Sequence, residues 1–202
     1  MSDTLQRVGM FGGAFDPPHR AHGALARAAV QQLGLARLVV LPTGDAWHKE
    51  RKLSPAADRL AMARLAFAAL PATQVDDREL RRTGPTYSID TLRELQAEHP
   101  RAQLHLLMGE DQAAGFTRWH AWQEIARLAV LCVATRGSGA GLAALRALPG
   151  LRVRELELPQ MPESATEIRT LLTRGQDIAD LVEPVVASYI ETHHLYQTTD
   201  DH

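Results

Sequence analysis

A doubly wound α/β protein with a parallel sheet is the fold class this sequence predicts, and three observations predict it. Short apolar runs recur at 8–11, 38–41, 104–108 and 128–133, each the length of a buried strand. Helix-like segments separate the runs, as crossover connections between parallel strands require. The composition of the 202 residues, 45% hydrophobic and 23% charged, is that of an ordinary globular domain. At about 100–200 residues per domain, 1–202 reads as a single domain with a frayed tail over 197–202.

The first run leads through two glycines into a helix over 21–33, apolar at Leu25, Ala28, Ala29 and Leu33 and stopped by Gly34. After the second run, a helix is expected over 58–70, apolar at Leu60, Ala63, Leu65, Ala66 and Leu70 and stopped at Pro71. Further helices are expected at 89–98, 121–127, 142–148, 165–174 and 183–192. The glycine-rich segment 136–141 reads as a loop after a strand, and it lacks the Gly-x-Gly-x-x-Gly spacing of the ordinary dinucleotide fingerprint.

Several function classes are excluded. The 22 basic and 24 acidic side chains leave a net charge of −2, without a basic block, so a nucleic-acid partner is not expected. The apolar stretches fall far short of the ~18–20 residues of a membrane helix, so no membrane partner is expected. The N-terminus lacks the pattern of a secretory signal, so the chain is read as starting near Met1 and residing in the cytoplasm. Cys132 is alone, which leaves no disulfide framework and no cysteine metal cluster. The two lysines, Lys49 and Lys52, do not follow a glycine, so a Gly-Lys phosphate loop is impossible.

Another phosphate site is nonetheless written into Gly12-Gly13-Ala14-Phe15-Asp16-Pro17-Pro18-His19-Arg20-Ala21-His22. Its glycines at a strand end let a ligand approach the backbone. Asp16 is expected to cap the helix, and the prolines suit its first turn. His19 and His22, three apart, face the same way from a helix N-terminus whose free N–H groups favour anions. Taken alone, the pair also reads as two solvated histidines, and two ligands do not complete a metal site. Farther on, Ser164 and Glu167 stand at capping-box spacing. Thr166 and Arg169 are not explained by capping, and the arginine's planar donor fork suits phosphate oxygens. Two helix starts could then clamp one polyphosphate.

Over most of its length the chain resembles the nucleotidyltransferases of the HxGH type and, within them, the nicotinate-nucleotide adenylyltransferases. Residues 12–22 resemble the pattern GG(T/S)FDPxHxGH, and 163–169 resemble ISxTxIR. Between them, Pro42 with His48-Lys49, the segment 77–92, and Met108-Gly109-Glu110-Asp111 followed by Trp119 resemble the pyridine-nucleotide branch in order and spacing. The chain departs from these patterns at Ala14, Ala21 and Glu163, where the family has Thr or Ser, Gly, and Ile. None of the three removes a chemically active group.

The resemblance implies a Rossmann-like sheet and transfer of the adenylyl group of ATP, with Mg2+ carried on its phosphates, to nicotinate mononucleotide. It assigns His19, His22, Lys49 and Arg169 to catalysis. It assigns Gly12, Gly13, Phe15, His48, Gly109, Asp111, Ser164 and Thr166 to ATP, and Thr86, Tyr87, Ser88, Trp119 and His120 to the acceptor. Read locally, Asp111 is also a helix cap, Trp119 a core partner of Trp122, and Ser88 or Thr91 a helix start. Nicotinamide mononucleotide would keep the same chemistry, although an amide needs an acceptor where donors favour the acid. A reading from another class is a non-catalytic nucleotide sensor. Oligomeric state is not legible.

Overall fold

The computed structural model describes residues 6–44, 53–135, 139–159, 161 and 163–197. Six parallel strands form one sheet: β1 (Arg7–Gly13), β2 (Arg37–Pro42), β3 (Thr73–Val75), β4 (Gln103–Gly109), β5 (Ala129–Ala134) and β6 (Val153–Leu156). Their spatial order is β3-β2-β1-β4-β5-β6. Chain order reverses between β1 and β4, and ligands of open α/β sheets bind beyond the strand ends at such a point.

The four apolar runs are the four inner strands. They are continuous in sequence because helices cover both faces, and β5 is buried at every position. β3 and β6 escaped the sequence reading because they are short edge strands. Arg154 and Glu155 interrupt β6 with exposed charge, and β3 has no fully buried residue.

On one face, Met10, Leu104, Leu106 and Leu131 pack with Ile89, Leu92 and Leu95 of α4 (Ser88–Glu98) and Ile125 of α6 (Trp122–Leu128). On the other, Phe11, Val40 and Leu107 pack with Leu25, Ala26 and Ala29 of α1 (Arg20–Leu33) and with Phe67 of α2 (Ala56–Phe67). Each of these side chains other than the two alanines contributes about 1.5–3 kcal/mol on leaving water. Cys132 lies free in this second layer, its thiol pushed up to about 12 by burial and therefore inert at neutral pH. A satellite core joins α2 to α8 (Ala165–Thr173) and α9 (Pro184–Thr192) through Met62, Ile168, Val186 and Ile190.

α1 stops as expected, with Gly34 left-handed at φ 60° and its N–H donating to the Val30 carbonyl. α2 ends three residues before the expected Leu70, which is buried in a turn after the helix. Two short helices were not anticipated, α3 (Arg78–Arg81) and α5 (Glu110–Ala114). The glycine-rich loop is shorter than expected: Gly139 caps α7 (Ala140–Arg146), so Gly141 is helical, and 136–138 lie outside the described residues. So do 198–202 of the expected tail. Among the described residues, no helix is long and apolar enough to cross a membrane.

Candidate active site

β1 runs directly into the site. Gly12 faces open space, with nothing within 4 Å of where a Cβ would stand among the described residues. Gly13 lies under the Phe15 ring, which a Cβ would meet at 3.0 Å. Phe15 turns the chain in the left-handed region, at φ 47°, and is held there by edge-on contacts to Phe11 and Phe67 at centroid distances of 5.4 and 5.5 Å. It is buried, so it braces the glycine turn rather than presenting a free face.

Asp16 does not cap α1. His19 is the N-cap, Arg20 the first helical residue, and the two prolines precede the helix instead of occupying its first turn. The Asp16 carboxylate is drawn elsewhere: Oδ1 accepts from the Tyr196 hydroxyl at 2.6 Å and Oδ2 from the Ser54 N–H at 3.2 Å. Burial, then Asp16, pushes the Tyr196 phenol well above its usual range, so it remains a donor at neutral pH.

His19 and His22 do face the same way. Their rings lie 3.8 Å apart, and His22 Nδ1 accepts the His19 backbone N–H at 3.2 Å. In the neutral ring this leaves the proton on Nε2. The Ala21 methyl is buried against the protein at 1% exposure.

The second helix start comes to the same place. Ser164 caps α8, its hydroxyl accepting the Glu167 N–H at 3.1 Å. Arg169 donates from one nitrogen to the Asp16 carbonyl at 2.7 Å and from another to Thr166 Oγ1 at 3.0 Å. The N-termini of α1 and α8 are thus tied together across 153 residues of chain. Arg59, absent from the sequence reading, reinforces the arrangement. From 3% exposure it donates to the carbonyls of Ala14, Thr43 and Ser54, joining the loops after β1 and β2.

Beside the glycine turn, between the ends of β1 and β4, opens a cavity of about 510 Å³. Gly12, Gly13, Thr86, Tyr87, Ser88, Asp111, Trp119 and His120 line it, as do Thr43, Glu79 and Arg118. Gly109 ends β4 and caps α5, with nothing among the described residues within 4 Å of where a Cβ would be. Asp111 stands in the first turn of α5 and is not its cap. Trp119 does not stack on Trp122. Both indoles pack on Phe116, at 5.7 and 6.0 Å, and Trp119 remains half-buried at the cavity wall, before α6 begins. Tyr87 is the N-cap of α4, and its ring meets that of His120 at 4.4 Å.

Gly44 shows how closely the loop after β2 packs on the segments around Glu79 and Thr86. A Cβ there would overlap the Glu79 carbonyl and come to 2.8 Å from Thr86 Oγ1, a buried hydroxyl without a hydrogen-bond partner among the described residues. Arg78 ties α3 to α4 through Glu98 at 2.7 Å and also bonds Asp76. Burial alone would raise the Asp76 pKa, but the Arg78 hydrogen bonds outweigh it and hold the carboxyl below its ordinary value. His48 and Lys49 lie outside the described residues. Among the described residues, no group of three His, Cys, Asp or Glu side chains is arranged to hold a metal.

The sheet order, the glycine turn and the two opposed helix starts define a nucleotidyltransferase of the α/β type. Residues 10–171 match the cytidylyltransferase-like family. A probable nicotinate-nucleotide adenylyltransferase of Albidiferax ferrireducens is 53% identical over 197 residues, covering 96% of this chain and 100% of that one. Another, of Methylibium petroleiphilum, is 40% identical and covers 95% and 92%. The chain belongs to the nicotinate-nucleotide adenylyltransferase family. Among solved structures, the Plasmodium falciparum nicotinic acid mononucleotide adenylyltransferase complexed with NaAD has the same fold, with a TM-score of 0.78 at 19% identity over 95% of this chain and 97% of that one.

Proposed function

We propose that this chain, working as a single domain in the cytoplasm, transfers the adenylyl group of ATP to nicotinate mononucleotide. The products are pyrophosphate and nicotinate adenine dinucleotide, a step of NAD biosynthesis. The observation that carries this reading is the adjacency of two unlike halves. A polar corner where α1 and α8 begin adjoins, through Gly12 and Gly13, an aromatic-walled cavity large enough for a mononucleotide.

An oxygen of the acceptor phosphate attacks the α-phosphorus of ATP. The bond from that phosphorus to the bridging oxygen breaks, and pyrophosphate leaves with the electron pair. The nucleophile is already an oxyanion, so the protein has only to align two anions and stabilise growing charge. His22 Nε2–H serves as the donor nearest the reacting phosphoryl group, with His19 beside it. Arg169 and Lys49 contact phosphate oxygens, assisted by His48, Ser164 and Thr166. ATP enters with Mg2+ on its phosphates. Gly12, Gly13, Gly109 and Asp111 border the adenosine, with Phe15 bracing the glycine turn. Trp119 stacks on the pyridine ring, and Thr86, Tyr87, Ser88 and His120 meet its carboxylate.

Pyrophosphate release with MgATP, compared between nicotinate and nicotinamide mononucleotide, tests the reading. Strong preference for the acid is expected. Equal use, or preference for the amide, overturns the acceptor assignment, and binding of ATP without release from either overturns the enzyme in favour of a sensor.

A further inference from the structure

Glu79 lines the cavity, and the proposed reaction leaves it without a role. It sits in α3 with only 4% of its surface exposed. Its Oε1 accepts from the Thr91 hydroxyl at 2.7 Å, three residues into α4 from Ser88. Arg82 stops short of the carboxyl, donating instead to Thr91 Oγ1 at 2.8 Å. Among the described residues the carboxyl makes no ion pair, whereas Arg78, Arg81 and Arg82 around it are paired to Asp76, Asp77, Glu94 and Glu98. Glu79 thus lines the cavity, and its carboxyl, hydrogen-bonded but without an ion pair among the described residues, carries a charge that the nearby Arg82 offsets only in part.

We propose that Glu79 is a specificity-determining residue for the acceptor: neutral, it admits the anionic carboxylate of the pyridine ring, and ionised, it disfavours that carboxylate while leaving an uncharged amide unaffected. The inference rests on the acceptor assignment above. The balance of groups facing Glu79 keeps both states accessible. Burial raises its pKa to about 7, opposed by the Thr91 hydrogen bond and by Arg82, and aided by Glu94 and Asp76. Asp111, Arg118 and His120 line the same cavity.

The test is the ratio of kcat/KM for nicotinate mononucleotide to that for nicotinamide mononucleotide, followed from about pH 6 to about pH 8.5. The 5′-phosphate and ATP are common to both reactions and cancel in the ratio. The ratio is expected to fall about five- to tenfold with a midpoint near 7, the scale of one added like charge at partly screened distance. Glu79→Gln keeps an acceptor for Thr91 and is expected to give a flat ratio. Thr91→Val removes a hydrogen bond that favours the ionised form and is expected to move the midpoint to higher pH. His120→Asn is expected to keep the transition. A flat wild-type ratio, or a transition that survives in Glu79→Gln or vanishes in His120→Asn, overturns the inference while the proposed activity stands. Absence of pyrophosphate release with either nucleotide overturns both.

Discussion

His22 and His19 are coupled through both backbone and ring. His22 Nδ1 accepts the His19 N–H at 3.2 Å, and the imidazoles lie 3.8 Å apart. The first bond is a helix cap and also fixes which nitrogen of the neutral His22 ring carries the proton. His22→Ala is therefore expected to cost only about 1 kcal/mol of stability, the scale of a lost cap. Turnover should fall about 10²- to 10³-fold, as for loss of one preorganised transition-state donor. Chemical denaturation and pyrophosphate release measure the two effects separately. Unchanged turnover would remove His22 from the chemistry.

Arg169 uses two nitrogens at once, on the Asp16 carbonyl and on Thr166. Lysine carries the charge but not the fork. Arg169→Lys is expected to retain part of the activity and Arg169→Ala to lose about 10²-fold in kcat/KM for ATP. If the two variants lose equally, geometry and not charge is what the site requires.

In the proposed reaction Trp119 meets the acceptor and not ATP. Its replacement by Ala is expected to raise KM for the acceptor mononucleotide about five- to hundredfold, the range of one base–aromatic stack, with little change for ATP. Trp119→Phe should recover most of the loss. An equal effect on both substrates would make Trp119 a core residue packed on Phe116 and nothing more.

These residues were legible in the sequence for a common reason. His19 with His22, and Thr166 with Arg169, are three apart on helices, so local spacing alone brings them together. The inner strands were legible because burial on both faces leaves them mostly apolar, with His105 the polar residue within the run of β4. The parts that were missed are those where distance in sequence is long. Tyr196 reaches Asp16 across 180 residues, and Arg59 reaches Ala14 across 45. Glu79 was hidden differently: it lies among the charged residues Arg78, Arg81 and Arg82, and only the fold shows that its side chain is buried and bonded to Thr91.

Gly44 is a position where a methyl group has no room, because the Glu79 carbonyl and Thr86 Oγ1 occupy it. Backbone cannot yield as a side-chain tip can. Gly44→Ala is expected to destabilise by about 1–3 kcal/mol, as overpacking does, and to raise KM for the acceptor as Thr86 shifts. Thermal unfolding together with acceptor KM checks this, and a variant indistinguishable from wild type would show that the two loops move independently.

Glu79 also predicts a dependence of stability on pH whose sign is opposite to that of a salt-bridged carboxylate. Its folded pKa is raised from 4.5 to about 7, so between those values the native state binds the proton more tightly than the unfolded chain. Stability from this group is intact below the unfolded value, falls as pH rises through the window, and is flat above about 7. Asp76 has the reverse dependence, since its depressed pKa makes its contribution disappear as pH falls. Glu79→Gln carries no such titration and still accepts from Thr91. In urea unfolding the variant is expected to gain on wild type by about 1–3 kcal/mol between pH 4.5 and 7, with no further gain above. Asp76 and all other groups are common to both proteins and cancel in that difference. A difference that does not change with pH would mean that Glu79 is ionised throughout the window, and its charge would then be constant wherever acceptor binding is measured.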